Sequence, residues 1–183
     1  MKDFKKFGGG YIDNLGEYAR DYINKYKNDV KKVKIIVGCD SENAKTTTKY
    51  ATVVVFYHEG AGAHFIYCFE KINRVKDLYT KLWGEIERTF KVAEYLEKEL
   101  EGTYERIEPL KKLVDVDVDL NPDSMWKSNI AYDAAIGLFT GFGYRVKGKP
   151  NAVASSYAAD LVVKKRSGKR KERKLKLKTG PRP

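Results

Sequence analysis

Residues 32–60, KVKIIVGCDSENAKTTTKYATVVVFYHEG, decide the fold because they hold two apolar runs separated by polar turn residues. Both runs are rich in Val and Ile, which favour β-strands. The first run leads through Gly38 and Cys39 to Asp40. A lone carboxylate at the end of a buried strand is costly unless a positive group meets it. Asp40 therefore either belongs to a turn or belongs to a functional site.

The rest of the chain alternates between strand and helix patterns. Apolar residues at helical spacing precede the first strand, and Asp13 or Asn14 is placed to cap that helix. In chain order we predict a helix over 12–26, strands over 33–40, 50–58 and 64–71, a helix over 75–100, a strand that begins at 113, a helix over 128–140, a strand within 141–150 and a helix from 151.

This order of elements predicts an α/β fold. Three strands joined by short turns form an antiparallel meander, and strand–helix–strand crossovers then add two parallel strands. We therefore expect a five-stranded mixed sheet flanked by helices, with the first and fourth strands side by side and parallel. Residues 1–31 are predicted to form an N-terminal arm and amphipathic helix, residues 32–163 the main domain and residues 164–183 a basic tail.

The net charge of +11 is concentrated in that tail. Residues 164–183 contain eleven Lys or Arg and one Glu, whereas the other 163 residues contain 25 basic and 24 acidic side chains. We expect the tail to be poorly ordered when free and to bind polyanions by counterion release. The alternative is a solubilising terminus or a targeting signal. The predicted nucleic-acid contacts are Lys147, Lys149, Lys164, Lys165, Arg166, Lys169, Arg170, Lys171, Arg173 and Lys174.

Composition also narrows the class of protein. No apolar stretch approaches the roughly 18 residues that span a bilayer, and the N-terminus has no apolar signal core, so a cytoplasmic location is expected. Cys39 and Cys68 lie in strand-like runs without a CxxC or His partner. They are predicted to be reduced buried thiols rather than zinc ligands.

Several acidic residues fall where the predicted topology brings chain segments together. Asp40 and Asp119 end the two adjacent parallel strands, and Asp160 lies among small apolar residues of the last helix. Either Glu85 or Glu87 of the long helix can join them. Clustered carboxylates suit Mg²⁺ or Mn²⁺, and two such ions about 4 Å apart support phosphodiester cleavage.

Two further acids lie within the predicted fourth strand. Asp115 and Asp117 alternate with valines, so their side chains point to the opposite face from the valine side chains. They are expected to line a solvated strand face or to pair with lysines.

The motifs VGCDSE, YATVVVFYHEGAG, VDLN, IGLFTGFGYRVKGKP and ASSYAAD together resemble the YkuK-type branch of the RNase H-like superfamily over residues 33–163. The resemblance places Asp40, Asp119 and Asp160 at the superfamily's metal-ligand positions and Glu85 near its helix glutamate. It implies a divalent-metal-dependent nuclease that hydrolyses phosphodiester bonds, with Mg²⁺ or Mn²⁺, two ions in all, as cofactor.

A second hypothesis keeps the same scaffold without catalysis. An RNase H-like domain with a basic tail can also serve as a nucleic-acid-binding or assembly module, because fold does not determine function. The sequence leaves open whether the nucleic acid is RNA, DNA, a hybrid or a junction, and it leaves open the oligomeric state.

Overall fold

A computed structural model of the chain describes residues 1, 3–103, 112–152, 154 and 159. Within these residues the strands are β1 Lys5–Lys6, β2 Val33–Asn43, β3 Thr47–His58, β4 Gly62–Asn73, β5 Val114–Val118 and β6 Arg145–Lys147. The helices are α1 Leu15–Lys25, α2 Leu78–Leu100 and α3 Tyr132–Gly141, and short 3-10 helices cover Lys27–Lys32 and Lys127–Ala131. The basic tail and most of the predicted last helix lie outside the described residues.

The strands form one mixed sheet in the order β1-β4-β3-β2-β5-β6. Strands β2, β3 and β4 are antiparallel neighbours, whereas β2 pairs with β5 and β5 with β6 in parallel. The predicted meander with two added parallel strands is therefore confirmed.

The sheet has one strand more than the five that the sequence predicts. The extra strand is β1, whose Lys5 and Lys6 pair antiparallel with Tyr67 and Ile66 of β4. Two residues are too few to show the alternating pattern by which strands are recognised. Strand β1 is therefore visible only through its pairing with the edge of β4.

Strand β2 continues past Asp40, which the sequence placed at its end. Residues 41–43 still pair with residues 48–50 of β3, while the parallel ladder with β5 stops at Cys39 opposite Val118. The predicted boundary is wrong because polar residues suited to a turn also suit an exposed antiparallel hairpin. Asp40 thus lies where β2 has passed the end of β5 and keeps its pairing with β3.

Helices α1 and α2 begin at side-chain caps and cover one face of the sheet. The Asn14 side chain accepts hydrogen bonds from the N–H groups of Gly16 and Glu17, and Asp77 accepts one from Thr80. The buried residues of both helices pack against the same face of β2 and β3, including Leu15, Ala19, Ile23, Ile86, Leu96, Ile35, Val37 and Phe56. On the other face, Val53 and Val55 pack with Ala154 and Ala159.

The predicted helix over 128–140 is divided into two elements. The 3-10 helix Lys127–Ala131 is followed by α3, which begins at Tyr132 without a side-chain cap. The side chain of Asn129 instead donates to the carbonyl of Pro122 at 2.8 Å, which ties the first element to the preceding loop. With this side-chain hydrogen bond to the backbone, the first residues of the predicted helix form a 3-10 helix in place of an α-helix.

Neither cysteine forms a disulfide, and only one of them is fully buried. Cys39 is buried, as predicted, whereas Cys68 is only half-buried. Burial raises the pKa of both thiols. Across the described ranges, no helix has the length and hydropathy that a membrane span requires.

Candidate functional site

Three of the predicted site residues, from β2, from α2 and from the segment that follows β5, approach one another. The parallel ladder ends at Cys39 and Val118, so Asp40 and Asp119 occupy the next position on neighbouring chain segments. Glu85 lies in α2, and it lines the same narrow cavity as Asp119. The expectation that β2 and β5 bring the first two acids together is confirmed by this register.

Glu85 is a buried carboxyl group with an unusual proton affinity. Only 6% of its surface is exposed, and the hydroxyl of Ser41 donates a 2.5 Å hydrogen bond to its Oε1 atom. Burial raises the pKa of Glu85 to about 8, and the negative charges of Asp40 and Asp119 add to that rise. The Ser41 hydrogen bond and the charge of Lys81 act in the opposite direction. The protonated form of Glu85 therefore predominates at neutral pH.

The alternative helix residue, Glu87, points away from this cluster. Glu87 is exposed to solvent, whereas Glu85 is buried against the sheet, as expected for residues two positions apart on a helix. Of the two acids that the sequence left open, Glu85 is therefore the one that faces Asp40 and Asp119.

A close contact between α2 and β3 sets the position of Glu85. A Cβ atom at Gly84 would lie 2.5 Å from the hydroxyl oxygen of Tyr50, so no larger residue fits there without a shift. The Tyr50 hydroxyl donates to the Lys81 carbonyl at 3.3 Å, and the Arg88 guanidinium lies 3.8 Å from the Tyr50 ring centroid. Gly84 thus lets α2 come near enough to the sheet for Glu85 to reach Ser41.

Lys149 contacts the second strand acid. Its ammonium nitrogen lies 3.0 Å from Oδ1 of Asp119, and its backbone N–H donates to the Leu120 carbonyl at 2.9 Å. The preceding Gly148 packs closely on Tyr132, since an added Cβ would lie 2.7 Å from that ring. Lys147, the other predicted contact in this region, is exposed in β6 beside Asp117. Lys149 is therefore the one of these two lysines that reaches the carboxylates.

The predicted solvated face of Asp115 and Asp117 is wrong, because both side chains are buried. They are 4% and 1% exposed, and Asp115 pairs with Arg145 at 2.5 Å. Asp117 accepts a 2.7 Å hydrogen bond from the backbone N–H of Ala154. Strand β5 has neighbours on both edges, and each of its two acids makes a polar contact inside the protein.

Ser41 and Arg88 are site neighbours that sequence reasoning did not single out for function. Ser41 belongs to the polar residues between the two apolar runs and follows Asp40 directly. Arg88 lies three residues after Glu85 on α2 and pairs with Glu70 at 2.8 Å. Spacing of three residues on a helix was the available signal for Arg88.

The described carboxylates suit a divalent cation in chemistry. The negative charges of Asp40 and Asp119 contribute to the raised pKa of Glu85, and a cation among the three would offset that repulsion. The described part of the chain nevertheless contains no group of three or more His, Cys, Asp or Glu side chains arranged to hold a metal ion. Asp160, the fourth predicted ligand, and the predicted tail contacts Lys164, Lys165, Arg166, Lys169, Arg170, Lys171, Arg173 and Lys174 lie outside the described residues.

Comparison with known proteins gives a match at the level of a family. A family model described as ribonuclease H-like matches residues 17–164, a range that runs from α1 to beyond Asp160. No curated protein and no solved structure matches the chain. The matched range contains all four predicted ligand positions.

Proposed function

Because this chain belongs to the ribonuclease H-like family, in its YkuK-type branch, we propose that it is a divalent-metal-dependent nuclease that hydrolyses phosphodiester bonds of nucleic acid. The observation that carries the proposal is Glu85, a buried carboxyl group whose pKa is raised to about 8 beside Asp40 and Asp119. Strongly shifted acids next to other acids are typical of functional sites.

Each residue has a proposed role. Asp40, Glu85 and Asp119, together with Asp160, would hold Mg²⁺ or Mn²⁺. Ions of this kind lower the pKa of bound water and stabilise a leaving oxygen. Ser41 orients the Glu85 carboxyl through its hydrogen bond, and Glu85 would give up its proton on binding the metal. Lys149 brings a positive charge to the same place, where a substrate phosphate would lie.

A non-catalytic nucleic-acid-binding module is the second candidate. It is favoured by the contacts that already satisfy two of the acids, namely Lys149 on Asp119 and Ser41 on Glu85. In this case the carboxylates have a structural role, and the basic tail binds the phosphate backbone without reading sequence.

A cleavage assay separates the two candidates. The full-length protein is mixed with single-stranded RNA, single-stranded DNA, duplex DNA and an RNA–DNA hybrid, with Mg²⁺, Mn²⁺ or EDTA. The nuclease proposal expects cleavage that requires metal and falls at least about 100-fold in Asp40→Asn and Glu85→Gln. Glu87→Gln is the matched control, because Glu87 is exposed on the same helix. Binding without cleavage, unchanged by metal and by Asp40→Asn, would support the second candidate and overturn the first.

A further inference from the structure

A second concave site lies between α1 and the hairpin that joins β3 to β4. It is a cleft of about 420 Å³, lined on the helix side by Tyr18, Tyr22 and Tyr26 and on the hairpin side by residues 61–64. This volume falls in the range of roughly 300–1,000 Å³ that is usual for small-ligand sites. We call it the tyrosine cleft. Its hairpin side includes Ala61, Gly62 and Ala63, which are small residues and leave the cleft open beside the tyrosines.

The floor and wall of the tyrosine cleft are aromatic and fixed in place. The His64 ring stacks on the buried Phe56 ring with a centroid distance of 5.3 Å and an interplanar angle of 9°. Tyr18 and Tyr22 meet these two rings edge-on, and the Tyr18 hydroxyl lies 2.9 Å from Nε2 of His64. Partly exposed, well-packed rings offer planar ligands a stacking surface at little entropic cost.

Two lysines give this aromatic surface a positive border. The Lys25 ammonium is 5.0 Å from the Tyr26 ring centroid and lines the cleft, and the Lys6 ammonium is 5.4 Å from the Tyr18 ring centroid. Burial lowers the pKa of His64, and both lysine charges lower it further, so His64 is neutral at physiological pH. Asp21 is the acid on the lining. The balance of Lys6, Lys25 and Asp21 is positive, which suits a planar group attached to an anion.

We propose that the tyrosine cleft binds one nucleotide of a single-stranded nucleic acid, with its base against the tyrosine rings and a neighbouring phosphate near Lys6 and Lys25. Aromatic platforms bordered by basic side chains are the usual means of holding single strands without reading sequence. The base must be unpaired, because a cleft of about 420 Å³ has no room for a base pair within a duplex. The inference rests on the proposed function in taking nucleic acid as the partner.

The tyrosine cleft is remote from the carboxylates and lies on the face of the sheet that α1 and α2 cover, as Glu85 does. His64 pairs with Phe56, and Phe56 pairs with Ile35, which lies five residues before Asp40 on β2. Strand spacing and rise therefore separate His64 from Asp40 by roughly 20 Å. Sites for single strands commonly cover about 4–16 nucleotides, so one strand can reach both places. The cleft acts as an anchor that takes no part in hydrolysis.

Binding of a fluorescent oligonucleotide, measured by anisotropy in EDTA, tests the inference apart from catalysis. The full-length protein is titrated with one single-stranded oligonucleotide and with the matching duplex, at raised salt that weakens the contribution of the tail. Tyr22→Leu removes one aromatic ring of the lining and keeps an apolar side chain there, and Lys25→Gln removes one charge. Lys91→Gln, an exposed lysine of α2, is the matched control for the charge.

We expect Tyr22→Leu to weaken single-strand binding about tenfold, the size expected for loss of one stacked base, and to leave duplex binding unchanged. Lys25→Gln is expected to weaken single-strand binding about threefold and to reduce the salt dependence of that binding. Lys91→Gln should change neither the affinity nor its salt dependence. Unchanged single-strand affinity in both cleft variants, with an unchanged melting temperature, would overturn the inference.

A competition arm distinguishes a strand from a free nucleotide. Displacement of the oligonucleotide by a micromolar nucleoside monophosphate would assign the cleft to free nucleotides instead and overturn the proposal. Because binding is measured without metal and in Asp40→Asn as well as in wild type, an absence of cleavage leaves this result standing. Conversely, a nuclease whose cleft variants bind normally would retain the proposed function and lose the anchor.

Discussion

Ser41 on β2 is joined to Glu85 on α2 by a 2.5 Å hydrogen bond, one residue beyond Asp40. This contact links the two elements that carry the proposed site, and it holds a buried carboxyl group in one orientation. The hydroxyl donates to the carboxyl oxygen, so it favours the charged form of Glu85 against the effect of burial. Ser41 is therefore a positioning residue for Glu85.

Removing the Ser41 hydroxyl should destabilise the fold. Ser41→Ala leaves an oxygen of the buried Glu85 without its donor, and we expect a loss of about 1–3 kcal/mol in the free energy of unfolding. Chemical denaturation measures it, and Ser41→Thr, which keeps the hydroxyl, should recover most of the loss. An unchanged free energy of unfolding in Ser41→Ala would show that the hydrogen bond contributes nothing to stability.

Stability should fall as the pH rises, because the folded state holds the proton of Glu85 more tightly than the unfolded chain does. The contribution is fully present below the unfolded pKa of about 4.3 and is lost as the pH rises through the folded pKa of about 8. Melting temperatures across this window should therefore decline more steeply in wild type than in Glu85→Gln. Glu87→Gln should keep the wild-type slope, and equal slopes in all three proteins would contradict the raised pKa.

Divalent cations should stabilise the folded protein if the carboxylates bind them. Millimolar Mn²⁺ is expected to raise the melting temperature of wild type by mass action, and Asp40→Asn should reduce that shift. Asp133→Asn, an exposed acid at the start of α3, is the control and should behave as wild type. An identical response in wild type and Asp40→Asn would remove Asp40 from the ligand set.

Gly84→Ala should be destabilising although alanine is the better helix former. The added Cβ would lie 2.5 Å from the Tyr50 hydroxyl oxygen, and overpacking of this kind costs about 1–3 kcal/mol. Gly137 in α3 has open space at the same position, so Gly137→Ala should be neutral or stabilising by up to about 1 kcal/mol. Denaturation of both variants, and of Gly84→Ala combined with Tyr50→Phe, tests whether the hydroxyl is the obstacle.

The pairing of β2 with β5 could be predicted from the sequence because each step depends on local pattern. Short turns indicate the meander, and the long helix requires a parallel return to the sheet. Once that topology is given, Asp40 and Asp119 must be near each other. The burial of Asp115 and Asp117 could not be predicted in the same way, because their partners Arg145 and Ala154 lie 30 and 37 residues away in the chain.

The close packing of α2 on the sheet could not be predicted from the sequence either. A glycine inside a helix signals only lower helix propensity, and nothing in the sequence near Gly84 points to Tyr50 on another element. The choice between Glu85 and Glu87 depends on that contact, since it fixes which side of α2 faces the strands. Tertiary packing therefore decides between Glu85 and Glu87, which helical periodicity alone does not distinguish.

Because β2 is longer than β5, the backbones of Asp40 and Asp119 are held in different ways. Asp40 lies within the ladder between β2 and β3, whereas Asp119 begins the loop after β5 and is positioned by side-chain contacts such as that of Lys149. The backbone of Asp40 is thus held by the hydrogen bonds of a β-sheet, whereas the backbone of Asp119 lies in a loop. A change in their separation, whether during turnover or across evolution, is expected to come from the loop that follows Val118.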